Sequence, residues 1–265
     1  MNRTDIIKYI EKHIAPIRKH RITFSKANTK LKKLQKQIGK RVYSFDLLAG
    51  WTCPYAKDCR SCAAPQHLVR PTTFFLEQDS GRVVVDGPQC RYRCYSASQE
   101  AIYRDTFNQR AMNWWCLITP YQNVTRMADM LLRSIPRNAE VIRIHSSGDF
   151  FSSTYFKAWL KVTKARPDIH FYGYTKAISL LQKHKDSIPS NLRITQSTGG
   201  TSTDYVDGLP KSYVVLYEES AASQNIPIDY NDFLAYEGKE DFALLIHGTQ
   251  PAGTRAARAL AKQRA

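Results

Sequence analysis

Five short apolar segments recur through the second half of the chain, and their spacing is the strongest constraint on its fold. VIRIHSS from Val141, IHFYGYT from Ile169, LRITQS from Leu192, YVVLYEE from Tyr213 and FALLIHG from Phe242 are rich in β-branched and aromatic residues. Intervals of roughly 20 to 30 residues leave room for a crossover helix between successive strands, the mark of repeated βα units and a parallel sheet. Helical patterns fall in those intervals, over 153–165 with Tyr155, Phe156, Trp159, Leu160 and Val162, and over 177–185 with Ile178, Leu180 and Leu181. Upstream, helices are expected over 98–112 and 120–134, the second capped by Thr119 and begun by Pro120. VYSFDLL from Val42 reads as an earlier strand, and FFLEQDSGRVVVD, residues 74–86, as a hairpin turning at Asp79-Ser80-Gly81. The expected class is α/β, a partial or irregular (β/α) barrel in preference to an open doubly wound sheet. The absence of a G-x-G-x-x-G or P-loop pattern weighs against a dinucleotide-binding or NTPase reading.

Charge divides the chain differently. The 265 residues hold 39 Lys or Arg and 23 Asp or Glu, a net charge of +16. Residues 1–41 account for 13 of the basic residues against Asp5 and Glu11, and the tail 251–265 adds Arg255, Arg258, Lys262 and Arg264 with no acid. The body between them is nearly neutral. Ile6, Ile10, Ile14 and Ile17, then Leu31, Leu34 and Ile38 before Gly39, have helical spacing, so residues 1–41 read as a basic helical extension. Residues 42–265 then form the catalytic domain. Basic ends suit a polyanion, because each phosphate neutralised releases counterions. Lys30, Lys33, Lys36, Lys40 and Arg41 are the expected backbone contacts, DNA before RNA. No apolar run approaches the ~18 residues that span a bilayer, and the amino terminus lacks a secretory pattern, so no membrane partner is expected and a cytoplasmic location is.

Cys53, Cys59, Cys62, Cys90 and Cys94 fall inside a cysteine-rich insertion at 51–95, while Cys116 sits in the apolar string WWCLI. Clustered thiols without a secretion signal point to metal rather than disulfides, and thiolate sulfur suits zinc or an iron–sulfur cluster. Cys53, Cys59 and Cys62 are the expected ligands, with Cys90 or Cys94 completing the set. The run QCRYRCYSAS interleaves Arg91 and Arg93 with Tyr92 and Tyr95, groups able to meet phosphate and to stack on an unpaired base.

In parallel α/β folds the reactive groups follow the strands. One ring would hold His145, Ser147, Gly148 and Asp149, then Lys176, then Gln196, Ser197, Gly199 and Gly200. Asp149 is the sharpest member, placed to act as a base, a nucleophile or a ligand of a polar substrate edge. Lys176 would neutralise phosphate or tune Asp149. His145 alternates with apolar residues and is equally a core histidine. Ser147, Gly148, Gln196, Ser197, Gly199 and Gly200 would line the substrate.

TCPYAKDC, CYSAS, RIHSSGDFFSSTYFKAW, FYGYTK and NLRITQSTGG, in this order, resemble the phage gene-product-eighty-eight family over roughly residues 42–200. The resemblance implies a phage setting and thus the cytoplasm of an infected cell. Two enzyme families are more distantly similar. Ser147-Gly148-Asp149-Phe150 resembles a strand end of the phage deazapurine base-exchange proteins, relatives of tRNA-guanine transglycosylases. That resemblance implies a structural zinc, a small-molecule base donor and exchange of guanine for a 7-deazaguanine, and is the leading expectation. The order of cysteines, helix and IRIHSSGDF is similar to the radical S-adenosylmethionine superfamily, which implies instead a [4Fe-4S] cluster and S-adenosylmethionine. A zinc-stabilised, non-catalytic nucleic-acid-binding protein is the third expectation.

Overall fold

The computed structural model describes residues 2–69, 81–118 and 123–264. Its main sheet has seven strands: β1 (Ser25–Lys26), β2 (Val42–Phe45), β5 (Val141–Ile144), β6 (His170–Thr175), β7 (Leu192–Ser197), β8 (Lys211–Val215) and β9 (Phe242–Leu245), side by side in that order. The last six run parallel, and β1 joins the β2 edge antiparallel. A small antiparallel ribbon, β3 (Ser61–Pro65) with β4 (Arg82–Asp86), stands apart. Among the described residues no ladder joins β9 back to β1 or β2, so the sheet is open and a closed barrel is not formed. Strand order that follows the chain also differs from a doubly wound sheet, where the order reverses.

All five strands expected after residue 141 form. RVVVD is a strand, but its partner is Ser61–Pro65; residues 74–80 of the expected hairpin lie outside the described residues. The helix expected over 98–112 is two helices, α4 (Tyr95–Ile102) and α5 (Arg104–Ile118), broken at the extended Tyr103. The helix expected from Pro120 is described as α6 (Val124–Ser134), capped by the Asn123 side chain on the Arg126 amide; Thr119 and Pro120 lie outside the described residues. α7 (Ser153–Ala165) and α8 (Ile178–His184) match their patterns within a residue.

Alternation along the strands separates two cores. Ile142, Ile144, Phe171, Leu192 and Ile194 face α5, α6, α7 and α8 in the large core, which centres on Trp159 between Phe45 and Phe171. Right-handed crossovers between strands laid down in order keep these helices on one face. The opposite face meets α2 (Thr29–Ile38) and α10 (Phe233–Glu237) over the strand starts, where Leu31, Leu34, Val42, Val141, Tyr172, Ala235 and Phe242 pack.

The amino-terminal segment is built into the body. α1 (Arg3–Tyr9) continues as a π turn, and its Ile6, Ile10 and Ile14 are buried in the large core. α2 ends at Gly39 with φ +67°, the left-handed cap its sequence predicts. The remaining helices, α3 (Gln66–Val69), α9 (Glu218–Ala222) and α11 (Arg255–Arg264), lie at the ribbon and near the carboxyl end. No described helix is long and apolar enough to cross a membrane.

Removing a fully buried aromatic from the large core costs about 3–5 kcal/mol through lost transfer energy and a residual cavity. Trp159→Ala is expected to destabilise the fold by that amount, read as a lowered urea midpoint with an unchanged slope.

Candidate active site

Strands of a parallel sheet covered on both faces are normally apolar throughout. Here the face opposite the large core is polar towards the strand ends: Ser44, Arg143, Thr195, Ser197 and Ser212 are all buried. Buried polar groups carry a desolvation cost unless partnered, so such a set marks a place where chemistry has overridden packing. A cavity of about 200 Å3 opens on this face. Cys53, Cys59 and Cys94 line it together with Ser147, Gly148, Asp149, Lys176 and Ser197.

Two separate stretches bring the thiols together. Cys53 and Cys59 lie on the loop after β2, and Cys94 caps α4 beyond the ribbon. Burial pushes the Cys94 thiol up to about 12, with Cys59 adding to the effect and the amides of Ala97 and Ser96 opposing it. Cys53 is raised well above the ordinary thiol range by burial, then by Asp149, Cys94 and Cys59. Thiols that raise one another in this way need a cation or metal before they ionise. Lys176 supplies one positive charge: burial disfavours its ammonium, but Cys59, Tyr92, Asp149 and Cys53 outweigh that and raise its pKa. Cys62 and Cys90 belong elsewhere. Cys62 sits on β3, raised to about 12 by burial and then Glu100, and Cys90 donates to the Tyr92 carbonyl beside Ser61. The expected trio thus exchanges Cys62 for Cys94, because the ribbon separates the second and third cavity thiols in sequence.

Two buried carboxylates hold the loops in register. Asp46 accepts from the Ser146 and Ser147 amides at 2.7 and 3.1 Å and from the Ser44 hydroxyl. Glu100 accepts from the Ala49 amide, the Ser147 hydroxyl and Arg110. Gly148, φ +86°, fits between these loops: a Cβ there would stand 2.6 Å from the Thr52 hydroxyl and 2.7 Å from Leu47 Cβ. Asp46 and Glu100 were missed by sequence reasoning; the one available signal was an acid directly after the VYSF strand.

Asp149 reaches the cavity as expected, but both of its oxygens are engaged. Oδ1 accepts from the Thr175 hydroxyl at 2.6 Å and the Phe150 amide at 2.7 Å, and Oδ2 from the Lys176 amide at 2.9 Å. Burial raises its pKa against these bonds. It braces two strand ends, a different task from that of a free base. His145, at φ +68°, donates to or accepts from Tyr155 at 2.8 Å, and burial, then Arg143, lowers its pKa to about 3. It is neutral near pH 7 and is no proton donor there.

Other expected site residues divide. Ser197 lines the cavity, whereas Gln196 is turned into the 206–209 loop, bonding Val206 and Leu209. Gly199 accepts at its carbonyl from the Lys57 and Asp58 amides, and Gly200 bridges to Ala56, so both dock the cysteine loop. Lys30 turns inward to Asp232 at 2.6 Å, while Lys33, Lys36, Lys40 and Arg41 stay exposed. Of the arginine and tyrosine run, Arg91 faces solvent, Tyr92 lines the cavity, and Arg93 is tied to Asp86.

A match to the gene product 88 family model covers residues 22–264. The chain belongs to the gene product 88 family. The match takes in the whole sheet and both basic ends from Ile22 onward, well beyond the 42–200 stretch of the motifs. Two relatives named Gene 88 protein come from mycobacteriophages: that of phage L5 is 27% identical over 138 residues, 44% of this chain and 58% of its own length. That of phage D29 is 26% identical over 161 residues, 58% of this chain and 62% of its own. The chain therefore spans about three-fifths of the length of these relatives. No solved structure matches.

Below pH 6.5 the unfolded chain takes up a proton at His145 that the folded protein refuses until about pH 3. Stability is therefore expected to fall as pH drops through this window, by up to about 1.4 kcal/mol per pH unit from this group. His145→Gln should flatten that part of the slope in urea unfolding at pH 7, 6 and 5; an unaltered slope would show the histidine already protonated in the fold.

Proposed function

We propose that the protein is an iron–sulfur enzyme of the radical S-adenosylmethionine type, with Cys53, Cys59 and Cys94 as the thiolate ligands. The convergence of these three thiols on one cavity beside Ser147-Gly148-Asp149 carries the reading. A structural zinc takes four donors in a closed shell, with sulfurs about 3.8 Å apart at tetrahedral geometry. Among the described residues no group of three or more His, Cys, Asp or Glu side chains stands ready-formed as a metal site. A polynuclear cluster spreads its thiolates farther apart and suits a three-thiol set facing a cavity. When bound, the cluster supplies an electron for reductive cleavage of the sulfonium of S-adenosylmethionine. The chain's own residues do the positioning. Asp46 and Glu100 fix the Ser147–Asp149 turn, and Lys176 stands over the thiols as a counter-charge. The open parallel sheet, with strands in chain order and α5 to α8 on one face, reads as a partial barrel with this site at its mouth.

The base-exchange reading has less behind it. It requires a second carboxylate, and among the described residues lining the cavity Asp149 is the one carboxylate, with both oxygens already bonded. Its leading place in the sequence therefore passes to the iron–sulfur reading. A DNA partner rests on Lys33, Lys36, Lys40 and Arg41. Replacing the three lysines by Gln is expected to weaken binding to duplex DNA and lower its salt slope by about 0.9 per lost phosphate contact, measured by titration at two salt concentrations.

Protein purified without oxygen is expected to be brown, with iron and labile sulfide, and to release 5′-deoxyadenosine from S-adenosylmethionine after reduction by dithionite. Cys94→Ala should lose iron and colour, while Cys62→Ala keeps both. A colourless protein with one zinc, or iron retained by Cys94→Ala and lost by Cys62→Ala, overturns the assignment.

A further inference from the structure

Beneath the cysteine cavity, the sheet carries a buried arrangement of charge that the thiol chemistry does not use. Asp232, wholly buried at the start of α10 with φ +70°, accepts from Lys30 at 2.6 Å, from the Arg143 guanidinium, and from the Tyr174 and Tyr172 hydroxyls at 3.1 and 3.3 Å. Two cations thus share one carboxylate. The nearby Asp229 is engaged by the amides of Asn231 and Ala235 and makes no ion pair with either cation. Lys30 and Arg143 both line the cavity with Arg93 and Lys176; Asp232 is shared by the first two, Asp86 pairs with Arg93, and Asp149 is the one carboxylate among the described lining residues. Arg143 is 9% exposed, and its Nε has no hydrogen-bond partner among the described residues; the same holds for His145 Nδ1 and Ser146 Oγ at the cavity wall. A buried guanidinium donor left unmatched costs free energy unless a ligand takes it up.

We propose that the deep end of the cavity binds the anionic terminus, carboxylate or phosphate, of a small-molecule substrate, with Arg143 and Lys30 as its anchor. This names a substrate class for the site of the proposed enzyme and rests on that reading for the reaction, but not for the binding. Arg143 is the enclosed member of the anchor, set over the wholly buried Asp232 with α2 and α10 covering the sheet below, and Lys30, its side chain 30% exposed, is the outer one. A terminal anion fits such an end; an internal phosphodiester, continued by sugars on both sides, does not. The tyrosine ring of Tyr174 lies 5.1 Å from the Arg143 guanidinium and fixes its plane. Asp232 holds both cations from behind and leaves their remaining donors to the ligand.

The test uses the full chain as purified, whether or not it carries iron, and titrates inorganic phosphate and malonate by calorimetry. Saturable binding of one equivalent is expected, weakened about tenfold or more in Arg143→Met, the loss of one charge-assisted hydrogen bond. Arg143→Met/Asp232→Asn removes the pair together and guards against misfolding from an unpaired Asp232; it should also lose the anion while keeping a cooperative melt. Lys164→Gln, exposed on α7 and away from the cavity, should bind as the parent does. S-adenosylhomocysteine is then added as a competitor. Simultaneous binding of both supports a substrate site; mutual exclusion gives the anchor to the cofactor's own carboxylate and overturns the proposal. Anion binding unchanged in both Arg143 variants, binding abolished equally by Lys164→Gln, or loss of single-stranded oligonucleotide binding with Arg143→Met also overturns it. A colourless, iron-free protein that still binds phosphate through Arg143 would sink the enzyme assignment and leave this inference standing.

Discussion

Glu100 is the interaction on which the rest of the site depends. From the buried face of α4 it reaches the Ala49 amide on the loop that carries Cys53, the hydroxyl of Ser147 at the end of β5, and Arg110 on α5. Burial raises its pKa, and Arg110 and the hydrogen bonds work to keep it charged. Removing one member of such a pair leaves a charge in low dielectric, a cost of about 3–5 kcal/mol. The same helix begins at Cys94, so one carboxylate sets the distance between the first and third cavity thiols and the Gly148 turn between them.

Asp46 repeats the device from the neighbouring strand, and Asp149 extends it to β6 through Thr175 and Lys176. Three acids thus act as clamps on successive strand ends. Each is satisfied by backbone amides, whose positions are set by the loops, so loop geometry and carboxylate ionisation support one another. The result is a rigid rim on a polar sheet face. Deeper in, Asp232 plays the same part between α2, β5 and α10, and ties the partly exposed Lys30 to a buried carboxylate.

Much of this was legible in advance. Strand positions after residue 141 follow from apolar segments bounded by polar turns, and α7 and α8 follow from period-3.6 patterns, because both depend on local burial. Asp149, Ser147, Gly148, Ser197 and Lys176 reach the cavity because residues at the ends of parallel strands converge there, and Tyr92 reaches it from the loop after the antiparallel ribbon. The misplacements share one cause. Gly199 and Gly200 follow a strand as well, yet they dock a neighbouring loop, and nothing in a linear pattern says which of adjacent residues faces inward after the strand ends; Gln196 lies inside β7, where alternation turns it to the side opposite Ser197. Lys30 reads as one more basic residue on a basic helix; its partner lies two hundred positions away.

By itself the sequence determined the class of fold, the parallel order of its units, the basic ends and the presence of a thiol-rich segment, since each is a property of composition or of short-range period. The tertiary structure decided that the sheet stays open, that Cys94 rather than Cys62 joins Cys53 and Cys59, and that Asp149 is bound on both oxygens. It also decided that two cations meet one carboxylate beneath the cavity. These are contacts between residues far apart in the chain, and their energies come from burial and from the low dielectric that burial creates, quantities that exist only once the chain has closed on itself.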